Sequence, residues 1–296
     1  MIRFSTFADL IALAKARKGS IASVVIAYEA EKSQRSEASV REDMARCLQV
    51  MKEAVEKGRS SREKSVSGMV GGDAAKMGDF MTLTQAKTQQ SLLGETVQKA
   101  LLYALSVSEV NAKMGRIVAS PTAGSCGILP GALLAAGETL QKNDEALVDA
   151  LFTASGVGLI IQEHASLAGA LGGCQAECGS AAAMAAAAIT ELAGGSPEQT
   201  GHALALAFKN LLGLVCDPVA GLVEVPCVKR NGFGASHALI AAELALAGVE
   251  SVIPPDEVIT ASQQIGRLLP QSLRETSEAG LADTPTARAI EKKVLG

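Results

Sequence analysis

The stretch from Ala181 to Ala188 is almost pure alanine and runs on to a glycine pair, Gly194-Gly195. Alanine has the highest helix propensity of any residue, and its single methyl lets neighbouring elements approach closely. The run therefore reads as a central, tightly surrounded helix that the glycines terminate. The rest of the chain agrees. Hydrophobic residues make up 48% and aromatics only 3%, with no Trp, so the core must be built from Ala, Leu, Val and Ile in close contact. That favours helices over a β-sandwich. We find no internal repeat and no linker, and expect one large all-α domain spanning residues 1 to 296, with its functional site on the connecting segments.

Charge excludes some functions. The net charge is -4 and no Lys/Arg run is interleaved with aromatics, so nucleic acid is not an expected partner. Asp9, Lys15, Arg17 and Lys18 interrupt any signal-peptide core. Apolar runs such as Leu159-Ile160-Ile161 and Ala181 to Ile189 fall short of the roughly 20 residues a membrane helix needs. A cytoplasmic protein without membrane association is expected. Its six Cys should be reduced, which points to metal binding or burial and away from disulfides.

Periodicity places two amphipathic helices between residues 6 and 57, carrying Phe7, Leu10, Ile11 and Leu13 in the first and Met44, Leu48, Met51 and Val55 in the second. Residues 58 to 79, including Ser67-Gly-Met-Val-Gly-Gly-Asp73, read as a loop that either approaches a ligand or simply connects helices. A helix is expected from about 92 to 113. It is followed by the turn Ser120-Pro-Thr-Ala-Gly-Ser-Cys-Gly127, rich in amides and hydroxyls able to face an anion. Further helices are expected near 145 to 170, 174 to 193, 199 to 214, 233 to 249 and 255 to 268. Neither a Walker A sequence nor GxGxxG occurs, so nucleotide binding has no support.

Thiols stand beside Gly and Pro in Gly172-Gly-Cys174 and in the stretch from Cys216-Asp-Pro to Pro226-Cys227. Such residues bend the backbone, so the three cysteines are placed to converge from connecting segments. Three protein thiolates on a metal or cluster leave one coordination position open, whereas structural zinc and simple electron-transfer clusters take four protein ligands. Buried cysteines packed as small hydrophobes are the alternative.

Taken together, Ser120 to Gly127, Gly173-Cys-Gln-Ala-Glu177, Cys216-Asp-Pro-Val-Ala-Gly221, Val225-Pro-Cys227 and Arg230-Asn231 resemble the iron-sulfur-dependent L-serine dehydratases, in particular their alpha subunit. The resemblance extends from the first helix through Ser67 to Lys76 and on to the segment Arg274 to Ala282. It implies conversion of L-serine to pyruvate and ammonia with a 4Fe-4S cluster and without pyridoxal phosphate (PLP). It places the cluster ligands on Cys174, Cys216 and Cys227. Cys178, four residues after Cys174, is not required by the family pattern, and Cys126 and Cys47 are weaker candidates still.

The Ser-Ser-His-Thr motif of single-chain relatives is absent here, so the resemblance implies a beta subunit that completes the site and supplies the catalytic base. Some of those relatives also end in a cysteine, whereas this sequence ends Lys293-Val-Leu-Gly296. His164, His202 and His237 read as helix or surface histidines. Thr122, Gly124 and Ser125 are candidates for binding the substrate carboxylate through hydroxyl and backbone donors. Arg230 is either a bidentate clamp on that carboxylate or a salt bridge orienting the Cys227 loop, and Lys76 is a further point charge. Two other classes remain: a structural zinc scaffold with a fourth ligand such as Cys178, and an interaction module with inert core thiols. No convincing Schiff-base lysine supports a PLP lyase.

Overall fold

The structure is a computed structural model that describes residues 2–296. Those residues contain thirteen α-helices and no β-strand, in line with the helices that the aromatic-poor composition favours. The first group is α1 (Phe7–Ala16), α2 (Ile21–Ser33) and α3 (Glu37–Gly58), followed by α4 (Asp73–Gln85) and α5 (Glu95–Ala112). Then come α6 (Ile128–Thr139), α7 (Asp144–His164), the single turn α8 (Gly169–Gly172) and α9 (Ser180–Leu192). The series closes with α10 (Pro197–Lys209), α11 (Cys227–Leu246), α12 (Pro255–Leu268) and α13 (Pro285–Leu295). Among the described residues, no helix is long and apolar enough to cross a membrane.

Helix α9 is the alanine run, and α6, α7, α10 and α11 surround it. Every residue from Ala181 to Ile189 is buried, because four neighbours leave no solvent face. Methyl side chains all round are what such a position demands. The helix stops at Gly194, where φ is +90. The Gly195 N–H donates to the Thr190 carbonyl and the Gly194 N–H to that of Glu191, each at 2.9 Å, the paired bonds that close a helix C-terminus. The Glu191 carboxylate turns outward and accepts from the amides of Ile21 and Ala22, at 2.7 and 3.0 Å, capping α2.

Close approach also fixes the α5–α6 pair. A methyl added at Gly131 would stand 2.8 Å from both the amide nitrogen and the Cβ of Ala104. Backbone cannot yield as a flexible side chain can. Gly131→Ala should therefore destabilise the chain by about 1–3 kcal/mol despite alanine's better helix propensity, read as a lower urea midpoint with an unchanged slope.

The fold departs from the periodicity reading at several places, among them α13, where no helix is expected, and the ends of α7 at His164 and α10 at Lys209, short of the expected 170 and 214. Three helices, not two, occupy the N-terminal region, because Lys18 takes φ +50 and the Ser20 hydroxyl accepts from the Ser23 amide to start α2. The loop expected to reach residue 79 ends at Gly72, where the buried Glu109 carboxylate accepts from the amides of Gly72, Asp73 and Ala74 and so starts α4. Helix α6 was hidden because it is buried on all sides and shows no polar face. Helix α11 begins at Cys227, ahead of the expected 233, since Gly232 and Gly234 dilute its pattern.

Candidate metal centre

Cys174 follows α8 through Gly173, whose φ of +74 turns the chain inward. A side chain at Gly173 would meet Leu269 Cδ1 at 2.6 Å and the Leu214 carbonyl at 2.8 Å. Beyond it, Gln175–Gly179 form a π-helical turn that runs into α9, a widened geometry that recurs at functional sites. Gln175 anchors this turn: its amide oxygen accepts from Gly213 N and its amide nitrogen donates to the Ser262 carbonyl, both at 2.9 Å.

Cys216 is held by its backbone. Its N–H donates to the Leu273 carbonyl at 2.9 Å, and its carbonyl accepts from Glu275 N at 2.7 Å. Arg230 grips both flanks, donating from Nη1 to the Val215 carbonyl and from Nη2 to Asp217 Oδ1, each at 2.9 Å. Asp217 Oδ2 in turn accepts from Leu281 N at 2.8 Å. Cys227 opens α11, and one turn later Asn231 joins that helix to the Thr122 turn. Its Nδ2 donates to the carbonyls of Cys227 and Gly124 at 2.9 and 2.8 Å, and its Oδ1 accepts from Gly127 N at 2.8 Å.

The result is a compact donor set. Ligand atoms of Cys174, Glu177 and Cys216 lie within 4.8 Å of one another, and Cys178 Sγ is 3.3 Å from Cys174 Sγ. Cys227 stands outside the tightest group, although Cys174 and Arg230 act on its thiol, which burial pushes up to about 12. Contact with Cys178 and then Cys216, assisted by the Arg230 charge, holds Cys174 well below the usual thiol range. Cys178 and Cys216 are pushed up by Cys174 and by burial. Closely spaced sulfurs of this kind are a donor group suited to a soft metal. The donors are soft and mostly sulfur, which suits iron-sulfur or zinc, and ligands on separate irons of a cluster need not converge as tightly as those of a single ion.

Glu177 has no assigned role in the sequence reading, although it closes the quoted motif Gly173 to Glu177. Burial raises its carboxyl to about 7, against the opposing hydrogen bond from Thr122. The Thr122 hydroxyl donates to Glu177 Oε1 at 2.7 Å. That bond engages the Thr122 hydroxyl beside the cysteine group. Ser125 is fully buried beside it, and Gly124 faces the Glu177 carboxylate. Asp217 and Asn231 were also missed, though each adjoins a residue singled out in the sequence.

Of the two readings of Arg230, the structure shows the salt bridge: Arg230 is engaged by Val215 and Asp217 and orients the Cys216 segment. Lys76 is exposed, pairs with Asp73 at 3.0 Å and makes no hydrogen bond to the Thr122 turn or to the cysteines. The histidines bond to backbone elsewhere: His164 to Ser5, His202 to Ser251 and His237 to Ala207. Removing Arg230 leaves the buried Asp217 without its cation, so Arg230→Ala should cost about 3 kcal/mol in urea denaturation and loosen the Cys216 segment. Arg230→Lys, lacking the two-pronged geometry, should recover only part of this.

The sequence profile of the family described as serine dehydratase alpha chain matches residues 16–282. A probable L-serine dehydratase, alpha chain, of Bacillus subtilis is 49% identical over 293 residues, covering 99% of this chain and 96% of that protein. The L-serine dehydratase, alpha chain, of Peptoniphilus asaccharolyticus is 41% identical and covers 98% of both. An L-serine dehydratase of Streptomyces coelicolor is 37% identical over 94% of this chain but only 60% of its own length. With the family profile matching residues 16–282, and relatives 49% and 41% identical over nearly the full length of both chains, the chain belongs to the serine dehydratase alpha chain family.

Proposed function

We propose that the chain, acting over its whole length as one catalytic unit, is the alpha subunit of an iron-sulfur-dependent, PLP-independent L-serine dehydratase in the cytoplasm. The observation that carries this reading is the convergence of Cys174 and Cys216 beside the Thr122 turn, with Cys227 at the adjoining helix start. Cys174, Cys216 and Cys227 would hold a 4Fe-4S cluster. What such a cluster supplies when bound is Lewis acidity toward the hydroxyl of serine, a poor leaving group. Loss of that hydroxyl and the α-proton as water gives aminoacrylate, which tautomerises and hydrolyses to pyruvate and ammonia.

The chain's own part is to hold and exclude. Arg230 and Asp217 fix the Cys216 segment, and Asn231 sets the Thr122 turn against the first turn of α11. The Thr122 turn, with Thr122, Gly124 and Ser125, would receive the substrate carboxylate chiefly through its backbone amides, because the Thr122 and Ser125 hydroxyls are bonded to each other and to Glu177. None of the three histidines contacts this region, which supports a base supplied by a beta subunit. The Streptomyces relative, with about 40% of its length outside the match, is consistent with that division of labour. Anaerobic co-purification with the partner chain, followed by pyruvate measurement from L-serine, tests the reading. Absence of pyruvate from an iron-loaded complex would reject it.

One observation favours a second reading. Cys174, Cys216 and Glu177 offer three converging donors to a single ion, with Cys178 beside Cys174 as the nearest candidate for the fourth that structural zinc requires. Metal analysis separates the two: a brown, iron- and sulfide-containing protein supports the cluster, and a colourless protein with one zinc per chain supports the scaffold.

A further inference from the structure

We propose that Glu177 is a positioning residue that ties the Thr122 turn to the cysteine group and so sets the distance between substrate and sulfur. The inference rests on reading that turn as the serine-facing element. Glu177 projects from the π-helical turn between the two parts of the site. One carboxylate oxygen accepts from Thr122 Oγ1 at 2.7 Å, and the other lies 4.0 Å from Cys216 Sγ. The surroundings are shaped to admit it. A methyl on Gly124 would come within 3.1 Å of one carboxylate oxygen, and a methyl on Gly169 within 2.8 Å of the other and 3.1 Å of Cys216 Sγ.

The same turn has no comparable link to the cysteine segments on this side. Asn231 holds it from α11 through Gly124 and Gly127, and Asn111 donates to the Ala123 carbonyl at 3.1 Å from α5. Those contacts fix the back of the turn. Among the described residues, the hydrogen bond between Thr122 and Glu177 is the one that joins its front to the segment that carries Cys174.

The test compares Glu177→Ala, Glu177→Gln and Thr122→Val in the complex with the partner chain. Three quantities are read: iron per chain, amide hydrogen exchange across residues 123–126, and the separate KM and kcat for L-serine. Loss of the tether should speed exchange in that segment and raise KM, each about tenfold, while iron and most of kcat are retained. Thr122→Val should match Glu177→Ala, and the two together should add nothing further. Glu177→Gln, which keeps an acceptor oxygen for Thr122, should restore both readouts. Iron lost from Glu177→Ala as fully as from Cys216→Ala would make Glu177 a ligand and overturn the proposal, as would unchanged exchange and KM. The exchange readout needs no turnover, so it judges the tether even if the unsubstituted complex proves unable to dehydrate serine.

Discussion

Alanine at Cys174, Cys216 or Cys227 should leave the protein without its iron and still folded. Each proposed ligand sits on a segment held by other bonds: Cys216 by Leu273, Glu275 and Arg230, Cys174 by the Gln175 anchor, and Cys227 by Asn231. Removing one sulfur therefore leaves the backbone in place. With only three protein thiolates proposed, the iron that loses its ligand has no protein replacement, so loss should be essentially complete. Cys47→Ala and Cys126→Ala are the controls, since Cys47 lies on α3 and Cys126 is a buried thiol that burial pushes up to about 12. Cys178→Ala should also retain iron. Because its sulfur touches that of Cys174, this variant is the most demanding of the ligand assignment. Iron content and visible absorbance after anaerobic reconstitution, with far-ultraviolet circular dichroism to confirm folding, decide the matter.

The second large effect concerns the partner. The isolated, reconstituted alpha chain should form no pyruvate, and adding the beta chain should switch turnover on. The physical reason is the proposed placing of the base on the partner, since each histidine of this chain is hydrogen-bonded to backbone away from the Thr122 turn. Titrating the reconstituted alpha chain with its partner and following pyruvate gives the answer. Turnover by the alpha chain alone at the rate of the complex would end the shared-site hypothesis.

Much of the fold was legible because the alanine run and the lack of aromatics admit little besides close-packed helices. What escaped were elements whose signals cancel. Helix α6 has no polar face to give a period, and the start of α11 is masked by Gly232 and Gly234. At the site, three thiols flanked by Gly and Pro were readable as a group because reactive residues on bent segments stand out. Glu177, Asp217 and Asn231 were not, because a carboxylate or amide that acts by bonding to another residue has no sequence mark apart from its distant partner. Arg230 illustrates the same limit. Its charge was visible, but only the fold reveals that Val215 and Asp217 already occupy it.

Pyruvate formation from L-serine by the anaerobic complex, before and after complete removal of iron, tests the central claim most directly. Before removal the complex should carry iron and acid-labile sulfide in equal amounts, roughly four of each per alpha chain, and turn serine over without added PLP. Stripping the iron should abolish pyruvate formation, and anaerobic iron with sulfide and reductant should restore it, while PLP should have no effect. Undiminished turnover by a complex shown to contain no iron would contradict the account.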